Sequence, residues 1–171
     1  MRKFLAVLFV MLACHSRAAD SAEPLAPNFS LRDINGELFT LSEHRGKIIV
    51  MNFWATWCNP CMAELPHLNQ IDKDYEEHNV EVVAISLDAA RHISKVKSYV
   101  KSRKYQFTTL LDSETSVVSQ YHPQKSIPYT LVLDRDGRIV YTHTGFTAGT
   151  EQIYINLLND LLRAESCEGA E

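Results

Sequence analysis

Two cysteines separated by two residues, Cys58 and Cys61, stand directly behind the apolar residues Ile48–Val50 and Phe53–Trp54. Such a run predicts a buried strand that delivers the first cysteine to a sheet edge. The second then falls in the first turn of the following helix, with Pro60 between them. Unsatisfied N–H groups at a helix start, and the positive end of its dipole, stabilise a thiolate at Cys58. A thiolate is the nucleophile of disulfide exchange, and Cys61 is near enough to resolve a mixed disulfide. The pair therefore predicts redox chemistry; an inert structural disulfide is the competing reading, weakened because so small a loop stabilises little.

The rest of the chain must fit around that strand and helix. At 171 residues with 46% hydrophobic content, it suits one domain with a substantial core. Arg2-Lys3 followed by the apolar stretch Phe4–Ala13 reads as an export signal. The stretch is too short to span a bilayer comfortably. Small residues in Ser16-Arg17-Ala18 predict cleavage after Ala18, giving a signal over 1–18 and a flexible lead-in over 19–27. Met11-Leu12-Ala13-Cys14 is a loose lipobox, so a lipid anchor at Cys14 is the alternative to simple secretion. Cleavage removes Arg2, Lys3 and Arg17 and no acidic residue, so the formal net charge of −4 becomes −7. An acidic surface without a basic cluster argues against a nucleic-acid partner. No second C-x-x-C or Cys/His set completes a structural zinc site.

Periodicity fills in the order. Phe29–Ile34 and Glu37–Leu41 flank Asn35-Gly36, a two-residue hairpin signal. Lys47–Trp54 is the central strand. A helix to about His78 carries Pro66, which predicts a kink. Val80–Leu87 reads as a buried strand, Ala89–Lys104 as an amphipathic helix, Phe107–Leu111 as a short strand and Ser113–Tyr121 as a short helix. Pro128–Asp134 and Arg138–His143 pair around Asp136-Gly137, and a last helix spans about Thr150–Ala164 with Tyr154 and Leu158 on its apolar stripe. The domain runs over 28–164, and 165–171, including Cys167, reads as a frayed tail with an incidental thiol or one available for an intermolecular disulfide.

Phe53-Trp54-Ala55-Thr56-Trp57-Cys58-Asn59-Pro60-Cys61-Met62-Ala63-Glu64-Leu65-Pro66 resembles the active-site region of the thioredoxin superfamily. In its full length it looks like that of TlpA/ResA-type thiol:disulfide oxidoreductases, a group that includes cytochrome c maturation proteins. The likeness covers Pro27 to Leu162. It implies an α/β thioredoxin-like fold: a mixed central sheet flanked by helices, an N-terminal β-hairpin and a central βα insertion. It also implies a redox-active Cys58–Cys61 disulfide, with no organic cofactor and no metal. The function implied is that of a periplasmic or otherwise extracytoplasmic reductant, soluble or lipid-anchored and monomeric. Such a protein takes electrons from a membrane thiol–disulfide donor and reduces disulfides in substrate proteins such as apocytochrome c.

Three further positions gain roles from the same likeness. Pro128 stands where thioredoxin-like proteins place a cis-proline opposite the cysteines, which would leave the Ile127 backbone to pair with an extended substrate; an ordinary trans-proline opening a strand is the alternative. Trp57 would form the rim of a docking surface or shield the disulfide, whereas Trp54 reads as core. Glu64, three residues after Cys61, would trade a proton with the cysteines if buried, or else be a solvated glutamate near the helix start. Asn52 stands where ordinary thioredoxins have a buried aspartate, so Glu64 would have to do that proton's work.

Two other functions compete. A peroxiredoxin-like peroxide reductase needs Pro and Thr seven and three residues before its reactive cysteine, positions held here by Met51 and Ala55, with Thr56 out of register. A thioredoxin-fold copper-binding chaperone would use the soft thiolates for Cu(I), but typically spaces its cysteines C-x-x-x-C-P. His67, just past Pro66, reads as a helix-surface histidine.

Overall fold

The computed structural model describes residues 23–168, with side chains to residue 164. The expected signal over 1–18, Cys14 and residues 19–22 lie outside the described residues, as does the side chain of Cys167.

A hairpin, β1 (Ser30–Arg32) and β2 (Leu38–Thr40), precedes the main sheet. That sheet has five strands: β3 (Ile48–Trp54), β4 (Val80–Ser86), β5 (Thr108–Leu111), β6 (Tyr129–Leu133) and β7 (Ile139–Thr144), in the order β5-β4-β3-β6-β7. β3 runs parallel to β4 and antiparallel to β6, so the sheet is mixed, as the resemblance implies. Four helices complete the fold: α1 (Asn59–Tyr75), α2 (Ile93–Arg103), α3 (Ser116–Tyr121) and α4 (Thr150–Glu168). The β5–α3 unit lies between α2 and β6 in the chain.

Every residue of β3 is buried, because both faces of the sheet are covered. Ile48, Val50 and Trp54 join a core with Leu65 and Leu68 of α1, Val96 and Val100 of α2, and Tyr154 and Leu158 of α4. Ile49, Met51 and Phe53 face the opposite core, with Phe29, Phe39, Val117, Leu131 and Leu133. Strand alternation assigns Asn52 to the first of these faces, under α1 and α4. Leu131 is fully buried at the middle of the second core. Leu131→Ala should therefore lower stability by about 2–5 kcal/mol, read as a lower urea midpoint with an unchanged slope.

Several local expectations need correction. Neither hairpin turns on two residues. In the first, Gly36 N–H donates to Asp33 O (3.1 Å), Asp33 N–H to Glu37 O (2.8 Å), and only Gly36 takes a positive φ, of 96°. The same pattern closes β6–β7, where Gly137 (φ 74°) donates to Asp134 O and Asp134 to Arg138 O. Both are three-residue loops ending in a left-handed glycine. The leading aspartate decides it: the Asp33 carboxylate accepts from Asn35 and Glu37 N–H, and Asp134 accepts from Arg138 N–H.

Residues 24–26, expected to be an unstructured lead-in, pair instead with the start of β7. Ala26 N–H donates to Gly137 O and Ile139 N–H to Pro24 O, both at 2.9 Å, and Ala26 is buried. α1, with Pro66 inside it and expected to reach about His78, ends at Tyr75 and tightens into a 3₁₀ turn at Glu76–His78. α4 begins at Thr150 as expected and runs four residues beyond Ala164, to Glu168.

Candidate active site

At the end of β3 the chain turns over Ala55–Trp57 and enters α1 with Cys58 as its N-cap. The turn is held from the next strand. The Asp88 carboxylate, 1% exposed, accepts from Thr56 N–H (2.8 Å), Thr56 Oγ1 (2.6 Å) and Ser86 Oγ (2.9 Å). Thr56, out of register for a peroxide-reducing site, thus commits its hydroxyl to Asp88.

Cys58 and Cys61 form a disulfide with an S–S distance of 2.02 Å. The Cys61 N–H donates to Cys58 Sγ at 3.2 Å, so an amide at the helix start points at the sulfur that would carry negative charge. Cys58 is 6% exposed and Cys61 not at all, which makes Cys58 the sulfur a substrate can reach. Trp57 beside it is 64% exposed, whereas Trp54 is fully buried against Tyr99.

The Ile127–Pro128 peptide bond is cis. Ile127 O lies 3.7 Å from Cys58 Sγ. In the disulfide that sulfur has no proton to donate, so this is a contact; a Cys58 thiol would find an acceptor there. Pro128 O accepts from Gly145 N–H at 2.8 Å, which ties this loop to the end of β7. Cys58, Cys61, Trp57, Ile127 and Pro128 therefore come together at the head of α1.

Glu64 is fully buried, one helical turn beyond Cys61 on the same side of α1. The solvated-glutamate alternative is ruled out by this burial. Its Oε1 accepts from Tyr154 OH (2.8 Å) and Thr130 Oγ1 (2.9 Å), and its Oε2 from Asn52 Nδ2 (2.9 Å). Asn52 Nδ2 also donates to Thr130 Oγ1 at 2.8 Å, while Asn52 Oδ1 is buried without a partner among the described residues. Burial pushes the Glu64 carboxyl above the ordinary carboxylate range, against the pull of the three donors. Tyr154 is likewise pushed up, by burial and then by the neighbouring Glu64.

Sequence reasoning missed Thr130, Tyr154 and Asp88. Tyr154 showed itself only as part of an apolar stripe and Thr130 as a strand residue. Asp88, at a strand exit two residues after Ser86, carried a faint turn signal. His67 stands exposed on α1 with its ring 5.5 Å from that of Phe146. Among the described residues, no group of three or more His, Cys, Asp or Glu side chains is placed to hold a metal ion.

A sequence profile of the AhpC/TSA family matches residues 23–142. The thiol-disulfide oxidoreductase ResA of Bacillus subtilis is 34% identical over 134 residues, 78% of this chain and 73% of that protein. ResA of Bacillus cereus is 36% identical over 115 residues, 67% of this chain but only 65% of the relative's length. Among solved structures, a Chlorobium tepidum protein designated a thiol:disulfide interchange protein, DsbE, superposes with a TM-score of 0.75 at 26% identity. That match covers 82% of this chain and 96% of the other. A cysteine pair capping the helix behind a buried strand thus sits in a chain that belongs to the AhpC/TSA thioredoxin-like family and is similar within it to ResA.

Proposed function

We propose that this chain is an exported thiol:disulfide oxidoreductase that reduces disulfides in substrate proteins, with apocytochrome c-like chains as the substrate class. One observation carries the reading: a disulfide at a helix N-terminus has one sulfur sealed in the core and the other reachable beside an exposed tryptophan. The similarity to ResA proteins supports it. Export, the choice between a soluble and a lipid-anchored form, a monomeric state and a membrane thiol–disulfide donor belong to the same proposal.

In the reduced protein the Cys58 thiolate attacks one sulfur of the substrate disulfide, and the other substrate sulfur leaves as a thiolate. The Cys61 thiol then passes its proton to the Glu64 carboxylate, and its thiolate attacks Cys58 Sγ. The S–S bond to substrate breaks, the second substrate sulfur leaves reduced, and Cys58–Cys61 is left oxidised. Two electrons have moved to the substrate. Ile127 O, close to Cys58, and the face of Trp57 would receive the substrate chain. The donor returns two electrons, and Glu64 gives the proton back.

Equilibration of the Cys58–Cys61 couple against defined thiol buffers tests the direction of transfer. A potential near or below about −250 mV is expected of a reductant, whereas one near about −120 mV would make the protein an oxidant and overturn the reading.

A further inference from the structure

Glu64 meets its surroundings unevenly. Two hydroxyl donors, Tyr154 of α4 and Thr130 of β6, converge on Oε1, while Oε2 has one partner, the Asn52 amide of β3. All three are donors, so the cage is matched to a carboxylate. A carboxylic acid must itself donate, and it needs an acceptor. Asn52 Oδ1, buried and without a partner among the described residues, is an acceptor that stands free for it. Half a turn of the Asn52 amide would present that oxygen to a proton on Oε2. At Oε1 a proton would meet only the two hydroxyl oxygens, which could accept it only by turning their own protons away from the carboxyl.

We propose that Tyr154 is a positioning residue for Glu64: with Thr130 it pins Oε1 in both protonation states, so that the proton Glu64 takes during exchange resides on Oε2. The helix at the far end of the chain thereby controls the acid beside the cysteines. This inference deepens the mechanism above and rests on Glu64 as the proton carrier. The surroundings contain few other titratable groups. Cys61 lies on α1 itself and Cys58 caps it, β3 and β6 present only Asn52 and Thr130, and the Tyr141 and His143 rings of β7 lie 6.2 and 6.5 Å from that of Tyr154.

Tyr154→Phe keeps the ring and its edge contacts and removes only the hydroxyl. The test titrates the Glu64 side-chain carboxyl by carbon NMR in the full, oxidised protein, where the cysteines do not ionise; Glu64→Gln identifies the signal. A donor to a carboxylate favours the charged form, so its loss should raise the midpoint by about one pH unit. Thr130→Val, which removes the other Oε1 donor, should raise it too and serves if Tyr154→Phe does not fold. Loss of thermal stability with an unmoved midpoint in either variant overturns the proposal. The pH profile of mixed-disulfide resolution in the reduced protein separates the two layers. A profile that moves with the midpoint supports both. A raised midpoint with an unmoved profile supports the role of Tyr154 and removes Glu64 as the proton carrier.

Discussion

Cys58→Ser should abolish disulfide exchange, slowing reduction of a model protein disulfide by at least roughly 10³-fold, while the protein still folds. A serine hydroxyl is not ionised at neutral pH, and the helix-terminal N–H that points at Cys58 Sγ cannot bring it near that state. Cys61→Ser should behave differently. The nucleophile remains, so attack proceeds, but no thiol is left to release the substrate, and a mixed disulfide through Cys58 accumulates. Trapping with a disulfide-bonded peptide, followed by mass spectrometry, reads the two outcomes directly. The asymmetry follows from position. Cys58 is the reachable sulfur and Cys61 is sealed beneath it, so exchanging their roles would require substrate to enter the core. If Cys58→Ser formed the trapped species through Cys61, the assignment would be reversed. Cys58→Ser should cost little stability, since the disulfide closes a very short loop.

The part of this site that is local in the chain is legible in the sequence. A strand of apolar residues, a C-x-x-C pair and a proline in the helix start all act within about fifteen residues, and local chemistry ties their spacing to their geometry. Pro128 lies far along the chain, and only resemblance places it opposite the cysteines. The surroundings of Glu64 are out of reach for a different reason. Helical periodicity shows that Tyr154 faces inward, but it says nothing of what the hydroxyl meets ninety residues away. The same holds for Thr130, whose burial follows from its strand and whose partner follows only from register with Asn52. The turns depart from expectation for a local reason. Asn-Gly and Asp-Gly favour a two-residue hairpin when the flanking residues leave the choice open. An aspartate two places earlier, able to accept from N–H groups in or just after the loop, tips each into the longer form. The pairing of residues 24–26 leaves no periodicity to read, because its hydrogen bonds run between backbone groups.

Glu64→Gln should slow resolution of the mixed disulfide by about 10²-fold near neutral pH, with little effect on the first attack by Cys58. The amide cannot take the Cys61 proton, so the step depends on hydroxide or on the buried thiol ionising unaided. The defect should therefore shrink as pH rises past the ordinary thiol value of about 8.5, and single-turnover rates from about pH 6 to 10 would show the two curves converging. The same substitution should change stability in the opposite sense. Burial holds the Glu64 carboxyl above its unfolded value. The folded state therefore binds the proton more tightly than the unfolded one, and the stability this provides is fully present below the unfolded value of about 4.3. It is lost as pH rises through the folded value, where a charge must form inside the core. Glutamine carries no such charge at any pH. Its Nε2 can also donate to Asn52 Oδ1 once that amide rotates, giving a partner to an oxygen that has none among the described residues while Glu64 is a carboxylate. Urea midpoints should thus coincide near about pH 4 and separate by about pH 8, with Glu64→Gln the more stable protein. Parallel midpoints across that range would mean that Glu64 ionises without penalty. A variant that is both more stable and slower in one step is the signature of a carboxylate kept in the core for its proton.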